Sequence, residues 1–142
     1  MVELDNPREW TIVLSGDFPL PCGGTRRAIV IIQPDGGNLR VKRARPVRWT
    51  NSSGRDVQLK FQEWTDEDGG APEPVWPFNA YEGGLDVAPQ TGTVRLGVNG
   101  SFSGRLAGTG RIVVKYTVTA LTEGGAPDDN VLPLDPMIVV ER

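Results

Sequence analysis

Histidine is absent from this chain, and cysteine occurs once, as Cys22. Without an imidazole there is no His-based catalytic triad, no imidazole general base and no His-ligated metal. One thiol cannot close an internal disulfide, and it suits a reducing compartment. No apolar run approaches the ~18 residues of a membrane-spanning helix. The opening MVELDNPREW is acidic and lacks an apolar stretch, so no secretory leader is expected and the cytoplasm is the expected location. The Asn-x-Ser triplets at Asn51 and Asn99 then carry little meaning as glycosylation acceptors. A net charge of −3 and a pI near 5.0 give no general basic surface and disfavour nucleic acid.

What is present is a β pattern. The 142 residues are 38% hydrophobic, enough for one domain with its own core. The 18 glycines and 12 prolines fall between short apolar runs, as turns do in an all-β chain. Strands are expected at Thr11–Ser15, Arg27–Gln33, Leu39–Arg43, Val47–Asn51, Val57–Trp64, Thr93–Val98, Ser101–Leu106, Arg111–Leu121 and Met137–Arg142. No segment shows a capped apolar period of 3.6. Val57, Leu59 and Phe61 alternate with Gln58, Lys60 and Gln62. Ile112, Val114, Tyr116, Val118 and Ala120 alternate with polar residues from Lys115 to Thr119. Such a period of two fits a sheet with one buried and one wet face. Ala28–Ile32 is apolar throughout and is expected to be covered on both faces. The expected fold is a single-domain, two-sheet β-sandwich of Greek-key type.

Residues 65–92 read as a long insertion rich in Gly, Pro and acid, with little strand signal. It opens on Asp66, Glu67 and Asp68 beside Gly69 and Gly70. These carboxylates lack the spacing of an EF-hand and read first as a solvated acidic turn. Trp76, Phe78 and Tyr81 follow, and aromatics in such a loop either anchor a partner or pin the loop to the core. Five cations, Arg40, Lys42, Arg43, Arg45 and Arg48, fall within nine residues. They suit either an anionic partner or a charged strand edge that discourages aggregation. Cys22 could serve as a nucleophile only if a cationic neighbour such as Arg26 or Arg27 activated it, and it reads as an ordinary thiol.

The segment LRVKRARPVRWTNSSGRDVQLKF, from Leu39 to Phe61, resembles the central hairpin of cupredoxins. Val47, Trp49, Asn51, Gly54, Leu59 and Phe61 match that frame, and Val57 stands where the first copper-binding His would be. Tyr116-Thr117-Val118 resembles the strand that carries the thiolate ligand, which places the missing Cys at Val118 and the missing second His near Leu121. Leu134–Val140 is similar to the closing strand of the family. An immunoglobulin-like sandwich is the alternative. The resemblance implies a cupredoxin-like domain without its copper ligands, so no metal or cofactor is expected.

The expected function is therefore non-enzymatic: a protein-binding or self-associating assembly module with no membrane contact. Its candidate contact residues are Asp66, Glu67, Asp68, Trp76, Phe78 and Tyr81. Two alternatives are a carboxylate-based enzyme using the 66–68 loop and a calcium- or carbohydrate-binding β-domain.

Overall fold

The two runs that alternate most cleanly pair with each other. Val57–Glu63 and Ile112–Ala120 form an antiparallel ladder in which Phe61 faces Tyr116, Leu59 faces Val118 and Val57 faces Ala120. All six side chains are fully buried. The computed structural model describes residues 8–15, 28–41, 46–63, 73–106, 112–128 and 131–140. Its strands are β1 (Arg8–Leu14), β2 (Ala28–Gln33), β3 (Leu39–Val41), β4 (Pro46–Asn51), β5 (Val57–Glu63), β6 (Glu73–Pro74) and β7 (Phe78–Gly83). They continue as β8 (Asp86–Ala88), β9 (Thr93–Leu96), β10 (Ser101–Leu106), β11 (Ile112–Ala120), β12 (Val131–Leu132) and β13 (Met137–Val140). Among the described residues the only helical turn is the short 3₁₀ turn Asp35–Gly37, and no helix is long and apolar enough to cross a membrane.

The strands form two sheets packed face to face as a β-sandwich. One has the order β12-β2-β1-β4-β10-β7. The other has the order β3-β13-β11-β5-β9-β8, with β6 also pairing to β5. Most neighbours are antiparallel, but β1 runs parallel to β4, β12 to β2 and β3 to β13. Successive strands change sheet at every step except β1 to β2, β5 to β6 and β8 to β9. Each change places a loop at an end or side of the sandwich.

Inward-facing side chains of both sheets make one core, and Trp49 sits at its centre. The Trp49 ring lies 5.1 Å from Trp10, 5.3 Å from Tyr116, 5.6 Å from Phe61, 6.1 Å from Phe78 and 6.2 Å from Phe102. Tilted and edge-on pairs at these separations add attraction beyond their buried area. The two polar tips at the centre are satisfied in series. Trp49 Nε1 donates to Tyr116 Oη at 3.2 Å, and Tyr116 Oη donates to the Gly37 carbonyl at 2.5 Å. Gly37 has a φ of 80° and lies so close under the phenol that a Cβ could not be placed there. Among the described residues, Trp10 Nε1 is buried with no hydrogen-bond partner.

Two features depart from the sequence pattern. β7 lies inside the segment expected to be loop-rich. Its sequence, Phe-Asn-Ala-Tyr-Glu-Gly, has neither β-branched residues nor clear alternation, and it becomes a strand by pairing with β10. That pairing is irregular: Arg105 faces Ala80 but Leu106 faces Phe78, so Asn79 is a bulge. The Phe78 ring covers Gly104, where any Cβ would collide with it. The second departure is β2, where Val30 and Ile32 are buried but Ile29 and Ile31 are only half-buried on the outer face.

Burial pushes the Tyr116 phenol well above its ordinary value of 10.0, and the Trp49 hydrogen bond opposes this only partly. The folded state thus favours neutral Tyr116. Its stabilisation is complete below pH ~10 and is lost as pH rises beyond it. Urea unfolding across pH should show constant stability through neutrality and a decline above pH ~10, which Tyr116→Phe should flatten. At neutral pH that substitution should cost about 1–3 kcal/mol, because it leaves buried partners unpaired.

Candidate functional site

Two places carry the residues singled out from the sequence. The first is the end of the sandwich where β4 turns into β5 and β9 into β10. Val57 and Val118 are fully buried there, and Leu121 is nearly so. Val57 faces Ala120 and Val118 faces Leu59 within the core, whereas Leu121, tied by its N–H to the Asp56 carbonyl at 2.9 Å, lies beside that core rather than in it. Copper of the blue type is held by two imidazoles and a thiolate. Valine and leucine side chains offer no donor atom, so the residues at these positions do not fit the metal. Among the described residues no three Cys, Asp or Glu side chains gather in a way that could hold a metal ion.

Asn51, at the end of β4, locks the loops around that end. Its side chain is fully buried. Nδ2 is shared among the carbonyls of Arg55 at 2.7 Å, Gly97 at 3.0 Å and Leu96 at 3.3 Å, and Oδ1 accepts from the Ser53 hydroxyl at 2.6 Å and the Ser53 N–H at 3.1 Å. Its backbone completes the tie, with Asn51 N–H donating to Gly100 and Asn99 N–H to Asn51. Two half-buried ion pairs extend the lock. Arg55 reaches Asp128 at 2.5 Å and also donates to the Leu121 carbonyl, while Arg95 reaches Asp56 at 2.6 Å. Between these loops lies an open cleft of about 500 Å³, lined by Arg55, Asp56, Val98, Leu121, Thr122 and Glu123. Its arginine is already held by internal partners, so the arrangement braces these loops.

The second place is the side of the sandwich closed by residues 73–92. The chain passes there from β6 in one sheet to β7 in the other, then back to β8. Trp76 is half-buried and stands edge-on to Tyr81 at 5.0 Å, Phe78 at 5.2 Å, Phe102 at 5.9 Å and Phe61 at 6.2 Å. Phe78 is buried in the core, and Tyr81 is 42% exposed at its margin. Trp76, Phe78 and Tyr81 are therefore brought together as one aromatic stack running from core to surface. Asp66, Glu67 and Asp68 lie outside the described residues, as do Cys22, Lys42, Arg43 and Arg45. Arg48 is occupied on the outer sheet face, bonded to Ser103 and Glu9.

Sequence reasoning missed the most exposed large apolar residues near these places, Leu85 at 67% and Val98 at 51%. Every residue from Tyr81 to Asp86 is exposed. Gly83 and Gly84, both with positive φ, turn the chain sharply between the sheets and leave Leu85 standing outward. The available signal was an isolated leucine between a glycine pair and an acid. No protein-family model matches this chain, and no curated protein matches it in sequence.

Asn51→Ala should destabilise the protein by at least about 2 kcal/mol, since several buried carbonyls lose their donor. Amide exchange in the 52–56 and 97–100 turns should accelerate together. At the other place, Phe78→Ala should cost about 3–5 kcal/mol as a core truncation. Tyr81→Ala should cost less, about 1 kcal/mol, for the loss of its ring contacts with Trp76 and Phe102.

Proposed function

We propose that this chain is a copper-free, cupredoxin-like β-sandwich acting as a non-catalytic protein-binding or assembly module. The observation that carries the reading is the contrast between its two candidate places. The positions where the resemblance calls for copper ligands hold Val57, Val118 and Leu121, buried and without donor atoms. Exposed apolar side chains stand instead on the 73–92 side, at Tyr81 and at Leu85, which shares a shallow pocket with Val98. The frame residues Val47, Trp49, Asn51, Leu59 and Phe61 are all fully buried, which is what a shared scaffold requires of them.

Docking on the 73–92 side would combine aromatic anchoring with charge steering. Tyr81 and Leu85 supply apolar area on a rigid backbone, and Glu82 and Asp86 make no ion pair among the described residues. Asp66, Glu67 and Asp68, close by in sequence, would add to the same acidic field. Charges of this kind raise the association rate more than they lengthen the life of a complex.

Affinity capture with the purified chain as bait, followed by mass spectrometry, tests this. Tyr81→Ala with Leu85→Ala should strongly reduce capture of a stoichiometric partner with only a small drop in melting temperature. Neutralising Asp66, Glu67 and Asp68 should slow association and flatten its salt dependence. Capture indifferent to both sets of changes would remove this side from the function. Added Cu(II) should give no intense thiolate-to-copper absorption.

A further inference from the structure

We propose that Asn99 is a site of spontaneous deamidation, and that the reaction releases the loop lock around Asn51. This chemistry does not depend on the docking of a partner.

Of the chain's asparagines only Asn99 is followed by glycine. With no side chain on Gly100, nothing shields its backbone nitrogen from the Asn99 carboxamide. Asn99 is exposed in the tight turn between β9 and β10, and its carboxamide has no hydrogen-bond partner among the described residues. Its φ of 61° lies in the left-handed region, which asparagine tolerates better than most residues.

The Gly100 amide nitrogen gives up its proton and attacks Asn99 Cγ. A new N–C bond closes a cyclic imide, the bond from Cγ to the side-chain nitrogen breaks, and ammonia leaves with the proton. Water then adds to one of the two imide carbonyls and opens the ring. One opening gives an aspartyl residue, and the other, which predominates, gives an isoaspartyl residue. Either product carries one more negative charge. The isoaspartyl form also inserts a methylene into the main chain between the Asn99 Cα and the Gly100 nitrogen.

The fold gates this reaction through Asn51. The Gly100 N–H donates to the Gly97 carbonyl at 2.9 Å, and Asn51 Nδ2 donates to the same carbonyl at 3.0 Å. While the turn is closed, the attacking nitrogen keeps its proton and that proton is engaged. Attack therefore proceeds from the opened turn, and the Asn51 lock sets how often the turn opens. The product acts back on the lock. The Asn99 N–H donates to the Asn51 carbonyl at 3.0 Å, and the Gly100 carbonyl accepts from the Asn51 N–H at 2.8 Å. The inserted methylene falls between these two groups, so both bonds cannot keep their geometry. Release is one-way, because the imide's ammonia is lost.

The test is to age the purified chain at mildly alkaline pH and map it by mass spectrometry, with an isoaspartyl-specific methyltransferase label. Asn99 should deamidate before every other asparagine. Asn51→Ala should speed the reaction by about tenfold or more, since it opens the turn. Low urea should likewise speed it in the unsubstituted chain, which covers a poorly folding variant. Amide exchange in the 52–56 and 97–100 turns should be faster in the aged chain than in the fresh one. Fresh Asn99→Asp, with the charge but no added methylene, should exchange much as the fresh parent does. Asn99 left intact after another asparagine has reacted overturns the site. A rate indifferent to both Asn51→Ala and urea overturns the gate. A deamidated chain whose 52–56 turn exchanges as in the fresh protein overturns the release.

Discussion

The fold depends on one crowded junction, the packing of Trp49 between the two sheets. β4 brings the indole in from one sheet, and the β5–β11 ladder brings Phe61 and Tyr116 to meet it from the other. Rings of this size leave little room for alternative packing, so the junction sets how the sheets stack. The Trp49–Tyr116–Gly37 chain of hydrogen bonds then tethers the β2–β3 crossing to the centre. The same cluster extends through Phe78 and Trp76 to Tyr81, so the surface of the 73–92 side is built directly on the core.

The two places described above differ physically. At the end bearing Val57 and Val118 the core is apolar, and the loops over it are braced by Asn51 with its neighbouring ion pairs. Such bracing limits the motion of these loops. The side bearing Tyr81, Leu85 and Asp86 is exposed but anchored, which suits recognition by a preformed surface.

The β5 and β11 alternations were legible in the sequence because each strand buries one face, and a period of two records that directly. Trp49 was legible only as part of the Val47–Phe61 frame. β7 was not, because its strand character comes from β10 and from the space that Gly104 leaves for Phe78, both distant in sequence. Trp76, Phe78 and Tyr81 stood out by composition, yet their division between core and surface depends on which sheet edge the chain joins. Asn51 was visible as the last residue of the Val47–Asn51 strand, but its contacts with Leu96 and Gly97 exist only once two loops meet. Leu85 was hidden because a single leucine among glycines carries no periodic signal.

The central claim is that this scaffold works through the 81–88 edge and not through the braced end. Hydrogen–deuterium exchange of the chain, alone and bound to a captured partner, tests it most directly. The expected result is new protection centred on residues 81–88, with the 52–56, 97–100 and 121–128 loops unchanged. Protection concentrated in those loops, with the 81–88 edge exchanging as before, would contradict it.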